Sequence, residues 1–496
     1  MTAEHQALAQ HGVELCELRL DYLNRAPELS RLLPGRPTPV VITCRRDSDR
    51  GLWRGSEEQR LTLLRAAIVQ GAEYVDLEED AAKLIRRYGS TKRIISYHNF
   101  EETPGDLEAI HARLADCDPN IIKLATNALI PSDNARMLNL VARSKIPTIG
   151  FCMGDMGVPS RVLTGKFGAP FTYAAPSKER AVAPGQLTYD ELKSLYRYDQ
   201  IGPETEVYGV VADPVGHSLS PLLHNKSFAK SGLDCVYLPI RVPERLLAST
   251  FESFQSLGLR GLSVTIPHKE AALALTTHVD GPLQEIGAAN TLYLDEAGTW
   301  WAANTDYLAA IESLALGLRP EGAVPDPTRN ELEGKRILLL GAGGVAKAIG
   351  WACVKAGAAV TVTNRTSVRG KELAARLGCQ FVSWENRGTT FSDVIVNCTS
   401  IGMHPNVDET PLPDNLLNEG TLVFDTVYNP EQTMLIRQSR ERGCRTVTGV
   451  EMFVRQAARQ FHYFTGEEAS LDLLRKIVRK AISFVKVSPD EEGEAG

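Results

Sequence analysis

Residues 337–365 read ILLLGAGGVAKAIGWACVKAGAAVTVTNR, and the architecture of the C-terminal half follows from them. The apolar runs and the glycines predict a strand, a tight turn, a helix that begins near Gly344 and a second strand. In such a turn Gly341 permits the sharp bend, Gly343 lets the backbone approach a pyrophosphate, and Ala346 is the third small residue. The pattern predicts a dinucleotide-binding βαβ unit with phosphates at the helix N-terminus.

The residues at the end of the second strand indicate which dinucleotide to expect. An Asp or Glu about 20 residues after the turn normally binds a ribose 2′-hydroxyl, whereas an arginine there accepts a 2′-phosphate. This chain has Asn364 and Arg365 at that place, with Thr366 and Arg369 nearby. We therefore expect NADP rather than NAD.

The composition is that of a soluble globular protein long enough for about three domains. The chain has 496 residues, 43% of them hydrophobic and 23% charged, with a net charge of −7. It has no basic run and no apolar stretch of about 18 residues, so neither nucleic acid nor a membrane is an expected partner. Nine scattered cysteines without a CxxC pair predict reduced thiols, a cytoplasmic location and no metal site.

The N-terminal part, residues 1–197, alternates short apolar runs with helical patterns. The runs are VELCELRLDYL, PVVITCR, YVDLEE, RIISYHNF, IIKLAT, PTIGFCM and FTYAA. Seven strands separated by helices predict a parallel (β/α)8-type barrel. Such a barrel has eight strands, but this chain opens directly on a helix-like EHQALAQHG, so we expect a barrel without the first strand.

The rest of the α/β chain is predicted to form a two-lobed protein with a Rossmann-like second lobe. The expected segments are a linker at 198–206, a first lobe at 207–318, an exposed excursion at 319–334, the dinucleotide lobe at 335–466, a C-terminal helix at 467–487 and a disordered acidic tail at 488–496.

Several short motifs of the first lobe contain polar residues that could take part in catalysis or substrate binding. These are Ser218 and Ser220 in VGHSLSP, Thr265 and Lys269 in SVTIPHK, Asn290 in GAANTL and Asp306 in AANTD. A lysine and an aspartate in one cleft can share a proton with a reacting hydroxyl, as the reduction of a ketone by NADPH requires. Taken singly, Lys269 is interpreted as a surface lysine and Asp306 as a helix N-cap after Thr305.

Together these strings resemble shikimate dehydrogenase over residues 207–485, through HSLSP, TIPHK, GAANTL, NTD, GAGGVAKA, NRT, NCTSIGM, DTVYNP and GVEMFVRQAARQF. The resemblance implies Lys269 as acid and base beside Asp306. The substrate-binding residues that it implies are Ser218, Ser220, Thr265, Asn290, Asp306, Tyr428 and Gln456. The NADP contacts that it implies are Gly341, Ala342, Gly343, Gly344, Val345, Asn364, Arg365, Thr366, Arg369, Thr426 and Gly449.

Three residues depart from that family's pattern. Ser263 stands where an asparagine is usual, and Tyr307 and Ala309 replace glycines that commonly follow the NTD aspartate. These departures leave open whether shikimate or quinate is preferred.

In the barrel, Lys123 lies inside the apolar run IIKLAT, and His98 follows IISY. Burial disfavours the charged ammonium, which predicts an amine able to form a Schiff base with a ketone. The imidazole would then remove a proton beside the iminium and pass it to a departing hydroxyl. Possible anion and hydroxyl binders nearby are Glu17, Arg19, Arg45, Arg161 in a loop and Gln186. Alternatively, Glu17 and Arg19 form a structural ion pair and His98 is a satisfied core histidine.

This arrangement resembles type I 3-dehydroquinate dehydratase over residues 13–197, through ELRLDYL, TCR, SYHNF, KLAT, PSR and APGQ. The resemblance implies Lys123 as the Schiff-base lysine and His98 as the proton shuttle. It also implies substrate contacts from Glu17, Arg19, Arg45, Arg161 and Gln186. The whole chain is then similar to bifunctional enzymes that join the two activities in the shikimate pathway.

Two departures predict a weaker dehydratase. Asp49, Arg50 and Gly51 stand where the family has a glutamate and two glycines, which shortens the reach of the acid to His98. Val182 replaces a hydroxyl residue, and the lost hydrogen bond would cost about 1 to 3 kcal/mol if its partner stays buried.

The expected function is dehydration of 3-dehydroquinate to 3-dehydroshikimate in the barrel, followed by NADPH-dependent reduction to shikimate in the second half. One alternative is an NADP-dependent shikimate or quinate dehydrogenase with an impaired barrel. Another is a metabolite-sensing regulator that binds the same ligands without turnover.

Overall fold

The computed structural model describes residues 1–25, 27–320 and 329–483. These residues form two compact units. The first comprises Met1–Glu206, Asp234–Val242 and Ser249–Leu259, and the second comprises Val207–Leu233, Pro243–Ala248 and the chain from Arg260 onward. Within the described ranges, no helix is both long and apolar enough to cross a membrane.

The first sheet has six parallel strands, each paired with the next along the chain. They are β1 (Cys16–Arg19), β2 (Val40–Thr43), β3 (Tyr74–Glu78), β4 (Lys92–Asn99), β5 (Ile121–Asn127) and β6 (Thr148–Met153). The helices are α1 (Thr2–Gln10), α2 (Leu29–Leu32), α3 (Glu57–Val69), α4 (Glu79–Leu84), α5 (Leu107–Ala115), α6 (Ser132–Arg143) and α7 (Val158–Leu163). Because all six strands run the same way, their carboxyl ends meet at one edge, where barrel enzymes place their chemistry.

Burial explains why these short sequences form strands. Every residue of β2 and β6 is buried, which is the pattern of a parallel sheet covered on both faces. The intervening helices have local start signals. For example, Ser56 caps α3, and its hydroxyl accepts from the backbone of Gln59 while the Gln59 side chain accepts from the backbone of Ser56.

The predicted fold class, a barrel-type α/β unit followed by a two-lobed α/β protein with a Rossmann-like lobe, is confirmed, but the seventh predicted strand is wrong. FTYAA forms no ladder in the described structure, only an isolated bridge between Ala175 and Thr188. Its aromatic residues are held by their rings: Phe171 lies 5.9 Å from Tyr74, and Tyr173 lies 6.2 Å from Phe151. The alternation of aromatic and other residues in FTYAA therefore results from the packing of the rings and not from strand pairing.

The second sheet has the order β10-β12-β11-β9-β7-β8. Its strands are β7 (Glu206–Ala212), β8 (Cys235–Arg241), β9 (Leu259–Val264), β10 (His278–Val279), β11 (Thr291–Leu294) and β12 (Trp300–Ala303). The helices are α8 (Ser220–Ser231), α9 (Leu247–Gln255), α10 (Leu283–Ile286) and α11 (Asp306–Leu318). In the segment expected to be a linker, a 3-10 turn covers Tyr198–Gln200 and β7 begins at Glu206.

The third sheet is fully parallel, with the order β15-β14-β13-β16-β17-β18. Its strands are β13 (Arg336–Leu340), β14 (Ala359–Asn364), β15 (Gln380–Ser383), β16 (Val394–Asn397), β17 (Leu422–Asp425) and β18 (Arg445–Val447). The helices are α12 (Gly344–Lys355), α13 (Ser367–Leu377), α14 (Met434–Glu441), α15 (Gly449–Thr465) and α16 (Leu471–Ile482). This is the strand order of dinucleotide-binding folds, and the crevice lies where the order reverses, between β13 and β16.

The expected C-terminal helix appears as α16. It begins at Leu471 because the Ser470 hydroxyl accepts from the backbone of Leu473. Residues 484–487 of the expected helix, the expected tail at 488–496 and residues 321–328 of the expected excursion lie outside the described residues.

Candidate active sites

Lys123 lies in the interior of the first unit, on β5, and only 5% of it is exposed. Its Nζ donates to Asp76 Oδ2 at 3.1 Å and lies 3.9 Å from Glu17 Oε1. The ammonium also lies 3.9 Å from the centre of the Tyr173 ring. The ammonium therefore lies between carboxylates of β1 and β3, although its own strand is apolar.

Asp76 and Glu78 were missed in the sequence, although they alternate along one strand, YVDLEE, and so share one face. Arg45 donates to Asp76 Oδ1 at 2.8 Å and to Glu78 Oε1 at 2.6 Å. Burial opposes the ionisation of Asp76, but the charges of Arg45 and Lys123 outweigh it and hold its pKa far below the usual range. The guanidinium of Arg45 is thus fixed by carboxylates, as part of the network that holds Lys123.

His98 lies on β4, next to the strand that carries Lys123. Ser96 is the register partner of Lys123, and His98 is two residues further along, so both side chains point to the same face. Burial, followed by the charges of Arg45 and Lys123, holds the pKa of His98 well below its ordinary value of 6.5. The imidazole is therefore neutral at pH 7, as a proton acceptor must be.

An aromatic stack covers His98. The ring of Phe100 lies 6.0 Å from the imidazole with only 17° between their planes. The guanidinium of Arg50 lies 4.6 Å from the centre of the Phe100 ring. Asp49, the acid expected near His98, pairs instead with Arg46.

Arg161 lies on α7, not in the expected loop, because Pro159 favours the first turn of a helix there. It is only 1% exposed, and burial lowers its pKa to about 10. Its guanidinium lies 4.5 Å from the centre of the Phe151 ring, and its closest recorded acceptor is the Pro184 carbonyl at 3.5 Å. No carboxylate in the described chain pairs with it, so this buried cation fits an anionic ligand.

Glu17 and Arg19 do not form the ion-pair layer that was considered as an alternative. Arg19 donates through Nε and Nη2 to the two oxygens of Asp21, at 3.0 and 2.7 Å. Glu17 instead accepts from the hydroxyl of Thr43 at 2.7 Å and faces Lys123. Both side chains lie on the less buried face of β1.

A cavity of about 610 Å³ adjoins this group of residues. Its lining includes Glu17, Arg19, Tyr173 and Gln186, and its size is in the range of small-molecule sites. The Gln186 side chain accepts from the backbone N–H of Val182 at 2.9 Å, while the Val182 side chain is exposed. Gln186 is thus held near the cavity by the backbone of Val182, the residue that replaces the hydroxyl residue usual in the family.

In the second unit, Lys269 and Asp306 form a buried pair. Lys269 Nζ donates to Asp306 Oδ2 at 2.6 Å, and the two residues are 8% and 4% exposed. Asn290 donates to the other oxygen of Asp306 at 2.9 Å. The surface reading of Lys269 and the N-cap reading of Asp306 are both wrong, because Thr305 occupies the cap position and Asp306 binds the lysine.

Other expected substrate residues lie on three further elements of the second unit. Ser220 begins α8, and its backbone N–H donates to the hydroxyl of Ser218 at 3.3 Å. Thr265, after β9, is half-buried. Tyr428 stacks on Phe453 at 4.1 Å with 8° between the rings, and burial raises its pKa to about 12.

Phe453 was missed, although it stands three residues before Gln456 in GVEMFVRQ, on the same face of α15. Gln456 donates to the Phe453 carbonyl at 3.0 Å.

The departures in the substrate lobe have packing roles. The Ser263 hydroxyl donates to Gln460 Oε1 at 2.8 Å, and Gln460 in turn donates to the Asn290 carbonyl at 2.9 Å. Tyr307 packs edge-on against Trp351 at 5.5 Å. Ala309 is fully buried within α11, where glycine would destabilise the helix.

The expected cofactor residues gather at the carboxyl edge of the third sheet. Gly341 has φ +115°, and a Cβ there would lie 3.0 Å from the Cys398 carbonyl oxygen, so glycine is required. A Cβ on Gly343 would meet nothing within 4 Å, which leaves room for a ligand beside the first turn of α12. Arg365 is exposed after β14 and has no recorded ion pair in the described part of the chain.

The remaining expected cofactor residues lie along the same edge. Asn364 ends β14 and donates to the Thr366 carbonyl at 2.9 Å. Thr366 is at the N-cap position of α13, and Arg369 lies in the first turn of that helix. Thr426 follows β17 and donates to the Asn397 carbonyl at 2.8 Å, and Gly449 begins α15. Ala342 lies between Gly341 and Gly343, and Val345 follows Gly344.

Family models match both parts of the chain. Type I 3-dehydroquinase matches residues 1–203. In the second part, the shikimate dehydrogenase substrate binding domain matches residues 210–292, shikimate / quinate 5-dehydrogenase matches 326–410, and the shikimate 5′-dehydrogenase C-terminal domain matches 449–479.

Individual relatives agree with these matches. The chloroplastic bifunctional 3-dehydroquinate dehydratase/shikimate dehydrogenase of Arabidopsis thaliana is 38% identical, over 97% of this chain and 82% of its own length. The shikimate dehydrogenase (NADP(+)) of Methanosarcina acetivorans is 39% identical, over 56% of this chain and 98% of its own. A crystal structure of shikimate dehydrogenase in complex with NADP+ matches with a TM-score of 0.51 and 30% identity, over 57% of this chain and 97% of its own. The chain therefore belongs to the family of bifunctional 3-dehydroquinate dehydratases/shikimate dehydrogenases.

Proposed function

We propose that this chain catalyses two consecutive reactions: it dehydrates 3-dehydroquinate to 3-dehydroshikimate in the first unit and reduces that product to shikimate with NADPH in the second. The observation that carries the proposal is the pair of buried lysines, Lys123 bonded to Asp76 and Lys269 bonded to Asp306. A carboxylate beside a buried lysine fixes the position of its Nζ, which can then transfer a proton or, once deprotonated, attack a ketone.

In the barrel, Lys123 is the nucleophile. Neutral His98 takes one proton from the Lys123 ammonium, and the freed amine attacks the ketone carbon. Return of that proton to the oxygen of the adduct expels water and leaves a protonated imine. Neutral His98 then takes a proton from the adjacent carbon and delivers it to the departing hydroxyl, which leaves as water. Hydrolysis of the imine returns Lys123 and releases 3-dehydroshikimate, so the net change is the loss of one water molecule.

The surrounding residues bind the substrate and stabilise its charges. Asp76 lies 3.1 Å from Nζ and stabilises the cationic imine as it forms. Arg161, buried beside Phe151, binds the substrate carboxylate. Glu17, Arg19 and Gln186 line the cavity and bind substrate hydroxyls, and Arg45 acts by fixing Asp76.

In the second unit, bound NADPH supplies the hydride. Lys269 donates a proton from Nζ to the carbonyl oxygen, and Asp306 fixes the ammonium for that transfer. Ser218 and Ser220 bind the carboxylate, and Thr265, Asn290, Tyr428 and Gln456 bind the ring hydroxyls.

The glycine turn and the basic residues at the end of β14 hold the cofactor. The open space at Gly343 and the first turn of α12 accommodate the pyrophosphate. Arg365 and Arg369 bind the 2′-phosphate, with Asn364 and Thr366 beside them. Thr426, after β17, and Gly449, at the start of α15, would hold the rest of the cofactor.

A coupled assay tests both activities together. The full chain, supplied with 3-dehydroquinate and NADPH, is expected to oxidise NADPH and accumulate shikimate. Borohydride added with 3-dehydroquinate is expected to attach the substrate covalently to the parent chain but not to Lys123→Ala, which keeps NADPH oxidation with 3-dehydroshikimate. The Schiff-base role of Lys123 is wrong if the parent remains unlabelled.

One alternative keeps only the dehydrogenase activity, and Val182 favours it because that position lacks the family's hydroxyl. NADPH oxidation with 3-dehydroshikimate but not with 3-dehydroquinate would support it. A regulator without turnover would oxidise NADPH with neither.

We also propose a reducing location such as the cytoplasm. All nine cysteines are free thiols, and only Cys379 and Cys398 are not fully buried. The relative from Arabidopsis thaliana is chloroplastic. Microscopy of a fluorescent fusion in the native cell tests whether the protein lies in the cytoplasm or in an organelle.

A further inference from the structure

Lys269 is followed by Glu270, and both residues touch the helix that begins at the glycine turn. A Cβ on Gly344, the first residue of α12, would lie 3.0 Å from Lys269 Cβ and 3.1 Å from Lys269 Cδ. One turn further along α12, Lys347 Nζ lies 2.8 Å from Glu270 Oε2. Since residues i and i+3 share a helix face, two consecutive residues of the substrate lobe are attached to one face of the cofactor helix.

Glu270 also faces the next cofactor helix, since its Oε1 lies 3.6 Å from Arg369 Nη2 on α13. The two contacts are unequal in strength. The Lys347 side chain is only 17% exposed, whereas that of Arg369 is 59% exposed, and solvent weakens an exposed pair. The contact with Lys347 is therefore the stronger one, and Glu270 lies within reach of a residue proposed to bind the 2′-phosphate.

We propose that Glu270 is a positioning residue for hydride transfer. Its ion pair with Lys347 fixes the first turn of α12 against the stem of Lys269, so that the proton donor and the cofactor turn keep one relative position. This inference rests on the proposed dehydrogenase function. Sub-ångström placement has large effects on rate, so a carboxylate that touches neither substrate nor nicotinamide can control the chemical step.

A second ion pair between the same lobes serves as the comparison. Lys355, near the end of α12, lies 2.8 Å from Glu285 of α10. Glu285 also accepts from the indole N–H of Trp351 at 3.0 Å. This pair joins the lobes but is not adjacent to Lys269. Removing it therefore weakens the contact between the lobes without changing the position of Lys269.

The test compares Glu270→Gln, Lys347→Gln, the double variant and the charge exchange Glu270→Lys with Lys347→Glu. Each full chain is assayed for shikimate oxidation with NADP+. We expect either single change to lower kcat about tenfold, a loss typical of small misplacement, with the shikimate KM unchanged. The double variant should lose no more than either single one, and the charge exchange should recover most of the rate.

The kinetic isotope effect separates positioning from stability. With shikimate deuterated at the carbon that gives up hydride, the effect on kcat should increase in Glu270→Gln, because hydride transfer becomes more rate-limiting. In Glu285→Gln both kcat and the isotope effect should stay near the parent values, and 3-dehydroquinate dehydration should be unchanged in every variant.

Three results would overturn the inference: parent-like kcat in Glu270→Gln, an equal loss in Glu285→Gln, or additive losses in the double variant. An inactive parent chain would instead refute the proposed dehydrogenase function. The two failures are therefore distinguishable.

Discussion

Lys269 and Asp306 form a hydrogen-bonded ion pair of 2.6 Å inside the substrate lobe, and each compensates the burial of the other. Asp306→Asn keeps the shape of the side chain but leaves the ammonium without its carboxylate. We expect kcat for shikimate oxidation to fall about 100-fold or more, the usual contribution of a positioned acid or base. Dehydration of 3-dehydroquinate by the same chain should be unchanged, which shows that the first unit is folded. A variant with parent kcat would exclude Asp306 from the proton-transfer machinery.

Arg365 is exposed at the end of β14, in the position that selects between the two nicotinamide dinucleotides. Arg365→Ala should raise the KM for NADPH about tenfold to 100-fold, as expected for the loss of a hydrogen bond to a charged phosphate. The KM for NADH should change little, because NADH has no 2′-phosphate. Steady-state kinetics with both cofactors check this, and equal losses would contradict the role.

The pH dependence of the dehydratase depends on His98. Its pKa lies well below 6.5, because of burial and then the charges of Arg45 and Lys123. The base must be neutral to accept a proton, so activity should be independent of pH around neutrality and fall only as the medium becomes more acidic than 6.5. The pH profile of kcat measures this. An acid limb at or above 6.5 would mean that His98 is more exposed to solvent than its stack on Phe100 indicates.

The pKa of Asp425 is raised rather than lowered, and it gives a prediction about the pH dependence of stability. Burial raises its pKa from 3.8 to about 6, although Thr433, Val427 and Asn397 all donate hydrogen bonds to it. Between pH 3.8 and about 6, the Asp425 carboxyl is therefore protonated in the folded state and ionised in the unfolded state. Its stabilising effect is complete below 3.8 and disappears as the pH rises through about 6. The difference is about 3 kcal/mol for a shift of this size.

Asp425→Asn removes this dependence, because an amide keeps the shape and stays neutral. We expect the variant to melt at a higher temperature than the parent at neutral pH, with the advantage shrinking below about pH 6. The control is Asp414→Asn, at an exposed aspartate paired with Arg442, where little change is expected. Melting temperatures of the parent and the variant, measured across the pH range, test this prediction. A variant that melts at a lower temperature than the parent at neutral pH would contradict it.

The Rossmann-like lobe was predictable because its signal is local. The strand before Gly341, the turn and the helix from Gly344 are contiguous in sequence, and each residue type has one steric reason to be there. Lys123 and His98 were expected to be functional because polar residues in or directly after apolar runs are rare, and their roles stay predictions.

Residues that act through contacts distant in sequence were not found. Asp76 supports Lys123 from 47 positions away, and no spacing rule relates the two. Tyr173 was assigned to a strand because alternation cannot distinguish backbone pairing from aromatic rings that fill a cavity. Arg161 was placed in a loop because its helix, α7, has only six residues and gives too short a pattern to read.

The buried guanidinium of Arg161 has a thermodynamic consequence for the whole first unit. A positive charge held in the interior without a counter-ion in the described chain destabilises the fold until an anion arrives. Binding and folding are then linked, and any small carboxylate that reaches the guanidinium acts as a chemical chaperone for this unit. Titration with such a ligand should raise its melting temperature steadily, and in Arg161→Met the curve should be flat.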